Sequence, residues 1–241
     1  MTVTAQPIPM LSDNYSWLLT ESETGKIAIV DPAEAALAIA AIEAEGGKLD
    51  MIFITHHHGD HIDGVAALAA KYHARVVGNA ADAHRLPRLD VALREGEQVS
   101  FGVASARVFD TPGHTLGHIA YYFADGAVLL PGDTMFSLGC GRLFEGTAAD
   151  MFGSFRKFDA LPDETLVCAG HEYTESNAKF ALAKDGGNAA LQARATEILA
   201  LRAAGKPTLP VTLGTERATN PFLRAKTAEE FGALRKAKDN F

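Results

Sequence analysis

Thr55-His56-His57-His58-Gly59-Asp60-His61 follows the apolar run Met51-Ile52-Phe53-Ile54 and decides how the rest of the chain is read. Four side chains that can ligate a metal, His56, His58, Asp60 and His61, fall in this one stretch. Imidazole and carboxylate together suit zinc, iron or manganese. A buried strand opening into a short loop aims His56 and His58 to one side, and Asp60 with His61 to a neighbouring point. The loop therefore has the residues for two adjacent metal ions. The competing reading is a polar surface turn, and only context elsewhere in the chain separates the two.

That context is present. Ala106-Arg107-Val108-Phe109 leads into Asp110-Thr111-Pro112-Gly113-His114, and Val128-Leu129-Leu130 leads into Pro131-Gly132-Asp133-Thr134. A third β-prone run, Thr165-Leu166-Val167-Cys168, leads into Ala169-Gly170-His171-Glu172-Tyr173. Ligands on loops at strand ends gain a rigid scaffold and open access. One site then takes His56, His58 and His114. The other takes Asp60, His61 and His171, with Asp133 reaching both as a bridging carboxylate. Two divalent ions so placed lower the pKa of a bound water from ~15.7 toward ~7. Asp60 and Asp133 are thus the expected carboxylates of a catalytic centre. Zn2+ is the expected ion, with iron or manganese accepted by the same donors. No Gly-x-Ser-x-Gly elbow competes for the role. His57 should point away from the metals, and His73 and His84 should lie on the surface. His118, four residues after His114, is either a support for the ligands or a bystander, and Cys140 is read as structural.

The flanking sequence predicts an α/β fold. Tyr15–Thr20 and Ile27–Val30 read as strands joined at Thr24-Gly25, and Ala33–Glu45 as a helix stopped by Gly46-Gly47. A helix over residues 65–70 and a strand over 75–78 follow, then strands over 98–101, 106–109, 119–123 and 128–130. From about residue 174 the composition turns helical, over 178–184, 189–203 and 227–238, with an irregular Pro-punctuated stretch from Lys206 to Arg224. The expected division is a catalytic unit over 1–173 and a helical unit over 174–241.

At 241 residues the chain suits one large domain, or one with a smaller appendage. No apolar stretch approaches the ~18–20 residues of a membrane span, and the N-terminus lacks the basic and apolar regions of a secretory signal. Two cysteines make a disulfide framework unexpected. These features point to the cytoplasm, with no membrane partner. A net charge of −8 argues against a general nucleic-acid binder. The charge is uneven: residues 1–173 hold 11 Lys and Arg against 23 Asp and Glu, whereas 174–241 hold 11 against 7. Either this is incidental surface composition or the tail supplies cations for an anionic substrate.

The His-x-His-x-Asp-His pattern at residues 56–61, with His114, Asp133 and His171 following in order, resembles the metallo-β-lactamase superfamily. That resemblance implies an αββα sandwich with a binuclear site at one edge, here with a C-terminal helical domain. Fold alone does not select the substrate. Leu11-Ser12-Asp13-Asn14-Tyr15, Gly132-Asp133-Thr134-Met135-Phe136, Gly139-Cys140-Gly141-Arg142-Leu143-Phe144-Glu145-Gly146 and Gly170-His171-Glu172-Tyr173-Thr174 are similar to the glyoxalase II (hydroxyacylglutathione hydrolase) family. Thr219-Asn220-Pro221-Phe222-Leu223-Arg224 and the closing Lys238-Asp239-Asn240-Phe241 extend the match through the tail.

The resemblance implies hydrolysis of a small-molecule glutathione thioester, S-D-lactoylglutathione, by a binuclear metal-bound hydroxide. It also implies glutathione-binding roles for Arg142, Tyr173, Arg224 and Lys226. A monomer is expected. Arg142 stands where the family also uses Lys, and Phe144 where a Tyr hydroxyl occurs in relatives, so a contact to the glutathione peptide is expected to be missing. Asp63-Gly64 replaces a frequent Gly-Gly. Among rivals, a persulfide dioxygenase is disfavoured by the second ligand set and the Asn-Pro-Phe-Leu-Arg tail. A β-lactamase is disfavoured by the lack of a secretory signal, and an RNA-processing nuclease by the net charge. A non-catalytic metal-binding protein is disfavoured by seven intact ligands.

Overall fold

The computed structural model describes residues 2–241 and stacks two six-stranded sheets face to face. The first sheet runs in chain order: β1 (Val3–Met10), β2 (Asn14–Glu21), β3 (Lys26–Val30), β4 (Met51–Phe53), β5 (Arg75–Asn79) and β6 (Val91–Leu93). β1, β2 and β3 pair antiparallel, and β3 to β6 pair parallel. The second sheet is built from β7 (Gln98–Phe101), β8 (Ala104–Asp110), β9 (Ile119–Phe123) and β10 (Val128–Gly132). A small hairpin of β11 (Met135–Phe136) and β12 (Gly139–Cys140) follows, and β13 (Leu166–Ala169) and β14 (Val211–Thr212) complete the sheet in the order β14-β13-β10-β9-β8-β7.

The inner strands β3 to β5 bury both faces, so they read as apolar runs instead of alternating ones. The period of two still sorts the side chains of the sheet. Trp17, Leu19, Ala28, Val30, Phe53 and Val77 face the second sheet, where Phe53 meets Phe101, Tyr121 and Phe123 edge-on. Leu18, Ile29, Ile52 and Val76 face the opposite way. There they meet helices α1 (Ala35–Ala44) and α3 (Val65–Tyr72), between which lies the single turn α2 (Gly59–Ile62). The inter-sheet core continues through Phe155 of α4 (Ala148–Arg156) and into the C-terminal helices.

Those are α5 (Thr174–Asp185), α6 (Ala189–Ala203), α7 (Leu213–Thr219), α8 (Pro221–Arg224) and α9 (Ala228–Asp239). Phe180, Phe222 and Phe231 join the inter-sheet core, and β14 pairs with β13, so the tail completes the second sheet as well as covering it. The stretch expected to be irregular before Arg224 thus holds one short strand and two short helices. β1 went unpredicted because Pro7 and Pro9 argue against a strand. It is the edge of its sheet, where proline is tolerated. α4 also went unpredicted, although Thr147 and Asp150 form a capping box whose spacing is visible in sequence.

Asn220 explains why an Asn-Pro-Phe motif sits here. Its side-chain oxygen caps α8 by accepting from Phe222 N, and its amide donates to Phe136 O and Gly139 O at 3.1 Å each. Buried Glu216 accepts from Ser137 Oγ at 2.7 Å and from Leu138 N at 2.8 Å. The β11–β12 hairpin is therefore pinned from the tail. Replacing Asn220 with Ala is expected to lower stability by about 2–4 kcal/mol, because each buried acceptor left unpaired costs roughly 1–3 kcal/mol. An unfolding free energy from urea titration that stays within about 0.5 kcal/mol of wild type, at unchanged slope, would rule this pinning out.

Candidate metal centre and substrate cleft

β3, β4, β8, β10 and β13 all deliver their C-terminal ends to one edge of the sandwich. Ile119 N to Thr55 O (2.9 Å), Tyr15 N to Gly170 O (2.8 Å) and Glu172 N to Asp13 O (2.7 Å) tie the two sheets together there. The ligand candidates converge at this edge. His56 Nε2 and His114 Nε2 each lie 3.0 Å from His58 Nδ1. His61 Nε2 lies 3.4 Å from His171 Nε2, and Asp60 Oδ2 is 3.7 and 3.5 Å from these two nitrogens. Both trios keep their donor atoms within 4.8 Å of one another. Asp133 stands between them: Oδ2 is 3.4 Å from His114 Nε2 and 3.3 Å from His171 Nε2, and Oδ1 is 3.5 Å from His61 Nε2.

The donor set fits divalent metal. Asp133 Oδ1 is buried without a hydrogen-bond partner, which is costly for a charged oxygen unless something cationic meets it. Burial alone would raise the Asp133 pKa. The imidazoles of His61 and His171 reverse that and hold the carboxyl well below its ordinary range. Space is also reserved at this point. A Cβ on Gly170 would lie 2.5 Å from Asp133 Oδ1, and one on Gly132, at φ +50°, would lie 2.5 Å from Thr55 Oγ1.

Five of the candidate ligands are oriented from behind. His61 Nδ1 donates to Asp31 Oδ2 at 3.1 Å, and His171 Nδ1 donates to Asp13 Oδ1 at 2.9 Å. His114 Nδ1 donates to Arg142 O at 2.9 Å, and His56 Nδ1 lies 3.0 Å from Thr55 Oγ1. Asn14 Nδ2 donates to Asp60 Oδ2 at 2.9 Å. Such contacts fix ring orientation and tautomer. His118 is one of these supports: its Nε2 accepts from Asp133 N at 3.1 Å and its ring stacks on His56. His57 turns away to Asp82, 3.1 Å distant, while His73 and His84 are exposed.

A cavity of about 850 Å³ opens onto His58, Asp60, His114, Asp133 and His171. Arg142 and Tyr173, both expected at the substrate, line it, and Tyr173 stacks on His171 at 4.6 Å. Arg224 and Lys226 do not. They line a separate cavity of about 550 Å³, where Arg224 pairs with Asp185. The structure thus sets Arg224 and Lys226, expected at the substrate, apart from the cleft that holds the ligand candidates. Pro221 starts α8, whose buried Phe222 and Leu223 face the core and leave Arg224 on the far side. The cations of the tail that do reach this cleft are Arg235 and Lys238 of α9, with Lys179 of α5. Arg235 Nη1 donates to Cys140 O at 2.8 Å, and Lys238 Nζ to Ser176 O at 3.1 Å. Sequence reasoning passed over this pair, although residues three apart on a helix share a face. Cys140 fits its structural reading, with burial pushing its thiol up to about 12.

The orienting carboxylates carry a prediction. Asp13→Ala removes the acceptor behind His171 and should weaken metal retention about 10- to 100-fold at that trio. Competition with a chelator, followed by elemental analysis, measures this. Metal retained as in wild type would mean that Asp13 does not support the ligand.

Comparison with known proteins agrees with this geometry. Residues 11–171 match the family model described as metallo-beta-lactamase superfamily, and residues 172–241 match hydroxyacylglutathione hydrolase C-terminus. The hydroxyacylglutathione hydrolase of Acidiphilium cryptum (strain JF-5) is 58% identical over 97% of this chain and 95% of its own. That of Ruegeria pomeroyi is 48% identical over 97% of each chain. Among solved structures, ETHE1 from Myxococcus xanthus superposes with a TM-score of 0.72 at 25% identity, covering 98% of this chain and 90% of its own. The BLEG-1 B3 metallo-beta-lactamase, at 24% identity and a TM-score of 0.71, covers 92% of this chain and 100% of its own and shares the fold. With residues 11–171 and 172–241 each matched by a family model, and with relatives 48–58% identical over nearly the whole chain, the chain belongs to the hydroxyacylglutathione hydrolase family of the metallo-β-lactamase superfamily.

Proposed function

We propose that the thioester of an S-(2-hydroxyacyl)glutathione, S-D-lactoylglutathione in particular, lies at the two ligand trios with its glutathione arm along the cation-bearing wall of the cleft. The chain is a hydrolase of such thioesters, releasing glutathione and a 2-hydroxy acid. The observation that carries the assignment is one cavity joining the ligand set to Arg142, Arg235 and Lys238. Bound at the trios, two divalent ions, zinc in this reading with iron or manganese accepted by the same donors, supply a nucleophilic water at neutral pH and polarise the carbonyl.

The chain's own residues do the rest. Asp133 keeps the two trios at one fixed spacing, and Asp60 adds negative charge on the side of His61 and His171. Phe144 presents its ring edge-on to His58 and His114, at 5.7 and 5.1 Å, and walls off that side of the cleft. A thiolate leaves readily, with a free cysteine pKa of ~8.5, so no side chain need protonate it. Arg235, held by Asp239, and Lys238 meet the glutathione carboxylates together with Arg142, and Tyr173 packs along the peptide. Among the described residues no helix is long and apolar enough to cross a membrane. We take the enzyme to act as a monomer in the cytoplasm, without nucleic-acid or membrane partners.

Purified, metal-replete protein should hydrolyse S-D-lactoylglutathione and lose that activity on chelation; no turnover despite full metal content would refute the assignment. Lys238→Ala should raise KM about 10- to 100-fold with little change in kcat, since a charge-assisted contact remote from the carbonyl contributes roughly 1.5–3 kcal/mol of uniform binding. A small thioester without glutathione carboxylates should be hydrolysed as by wild type. Arg224→Ala should leave KM within about twofold, because its surface ion pair with Asp185 is worth about 0–1 kcal/mol and lies in the other cavity. Equal effects of the two substitutions would contradict this division of the tail's cations.

A further inference from the structure

A network outside the ligand set connects three loops around the centre. Asp82, buried in a one-turn helix over residues 80–82, accepts from His57 Nδ1 at 3.1 Å and from Arg85 Nε at 2.5 Å. The Arg85 guanidinium then forks onto Glu145, Nη1 to Oε1 and Nη2 to Oε2, the latter at 3.2 Å. Glu145 Oε2 also accepts from Leu116 N at 2.7 Å. Arg85 Nη1 lies 3.3 Å from His57 Nε2, so the ring donates from Nδ1 and accepts at Nε2. Asn79 Nδ2 adds a bond to Gly117 O at 2.9 Å. One arginine therefore joins the loop of metal ligands 56–58, the loop after His114, and the loop 141–146.

Loop 141–146 needs such a tie. Phe144 is 62% exposed and Arg142 is exposed, so little apolar burial fixes them. Backbone bonds from Gly141 N to Thr134 O (3.2 Å), Phe144 N to His114 O (3.3 Å) and Gly146 N to Gly113 O (3.0 Å), with Leu143 packed on the core, hold the loop from the side of residues 113, 114 and 134. The fork on Glu145 supplies the other, and Arg85 pulls the Glu145 carboxyl down to about 2. Ordinary surface ion pairs contribute little. This one differs in its bidentate geometry and in its anchor on a buried carboxylate, an arrangement that Lys could not reproduce.

We propose that Arg85 is a positioning residue for substrate binding, holding the loop of Arg142 and Phe144 against the metal-ligand loop through Asp82 and Glu145. The proposal rests on the hydrolase reading above, since Arg142 and Phe144 face the cleft in which the thioester is placed. Its test compares Arg85→Gln, Glu145→Gln and the double variant, all metal-loaded. The substrates are S-D-lactoylglutathione and a small thioester lacking glutathione. KM for the glutathione thioester should rise about five- to thirtyfold in each single variant, with kcat within about twofold. The double variant should be no worse than the more affected single one, because both changes break the same link. Metal content and small-thioester hydrolysis should match wild type. Unchanged KM in the single variants overturns the proposal, as do additive losses or equal losses on both substrates. Glu145→Gln, at a partly exposed loop position, decides the matter if Arg85→Gln, which uncovers buried Asp82, does not fold. Wild-type protein inactive on the glutathione thioester would refute the hydrolase reading instead. Calorimetric titration of glutathione into the same variants would then judge the Arg85 link, with undiminished affinity overturning it.

Discussion

The carboxylate of Asp133 is the constraint around which the catalytic edge is built. A buried anion with one oxygen unpaired is unfavourable wherever it sits, so its surroundings must supply positive charge at short range. His61, His114 and His171 come to it from three different loops, within 3.5 Å. Its backbone is fixed as well, with Asp133 N donating to His118 and Gly170 N to Gly132 O at 3.1 Å each. Small residues on either side follow from the same demand, since any Cβ at Gly132 or Gly170 would enter the space of the ligands or their supports. The sandwich brings five strand ends to one edge, and Asp133 gives that convergence its chemical purpose.

The two trios differ in what stands behind them. His61 and His171 each donate to a carboxylate, Asp31 and Asp13, and Asp60 joins them as a third acid. His56 and His114 meet only a hydroxyl and a backbone carbonyl. A carboxylate behind an imidazole raises its basicity as a ligand more than a neutral oxygen does. The edge is therefore electrically graded, more anionic toward β1–β2 and α2 and more neutral toward loop 141–146. The cations proposed to meet glutathione lie along α9 in the same cleft. A thioester carbonyl with an anionic arm fits such a gradient when its arm points to α9.

The clustered ligand candidates were legible because each one is a local event, a β-prone run leading into a short loop and then a His or Asp. The strands of the inter-sheet core were legible for a related reason, since runs such as Met51–Ile54 are apolar on both faces and short. What sequence reasoning could not place was set by tertiary contact. Arg224 and Lys226 stand beside a motif whose structural work is done by Asn220, with contacts more than eighty residues back at Phe136 and Gly139, and by the buried Phe222. Arg235 and Lys238 gave no local sign beyond their helical spacing. Only the packing of α9 on α4 and beside β12 shows that this face borders the metals. Pro7 and Pro9 hid β1 because propensity does not say which strand will be an edge.

The tail thus has a double part, and the two halves of it are physically one. Glu216 and Asn220 hold the β11–β12 hairpin by its backbone. The hairpin runs directly into Gly141 and Arg142, whose carbonyl accepts from His114 Nδ1. Arg235 reaches the same strand from α9 through Cys140 O. A displacement of the hairpin would therefore shift the support of the candidate ligand His114, the loop of Phe144 and the anchor of Arg235 together. Rigid coupling of this sort suits a reaction in which binding energy gathered far from the carbonyl must hold the carbonyl in place. It also gives a reason for the tail to lie in the main core through Phe180, Phe222 and Phe231 instead of hanging from the sandwich as a separate module. A clamp that moved independently of the metals could bind glutathione equally well, and would not align the thioester.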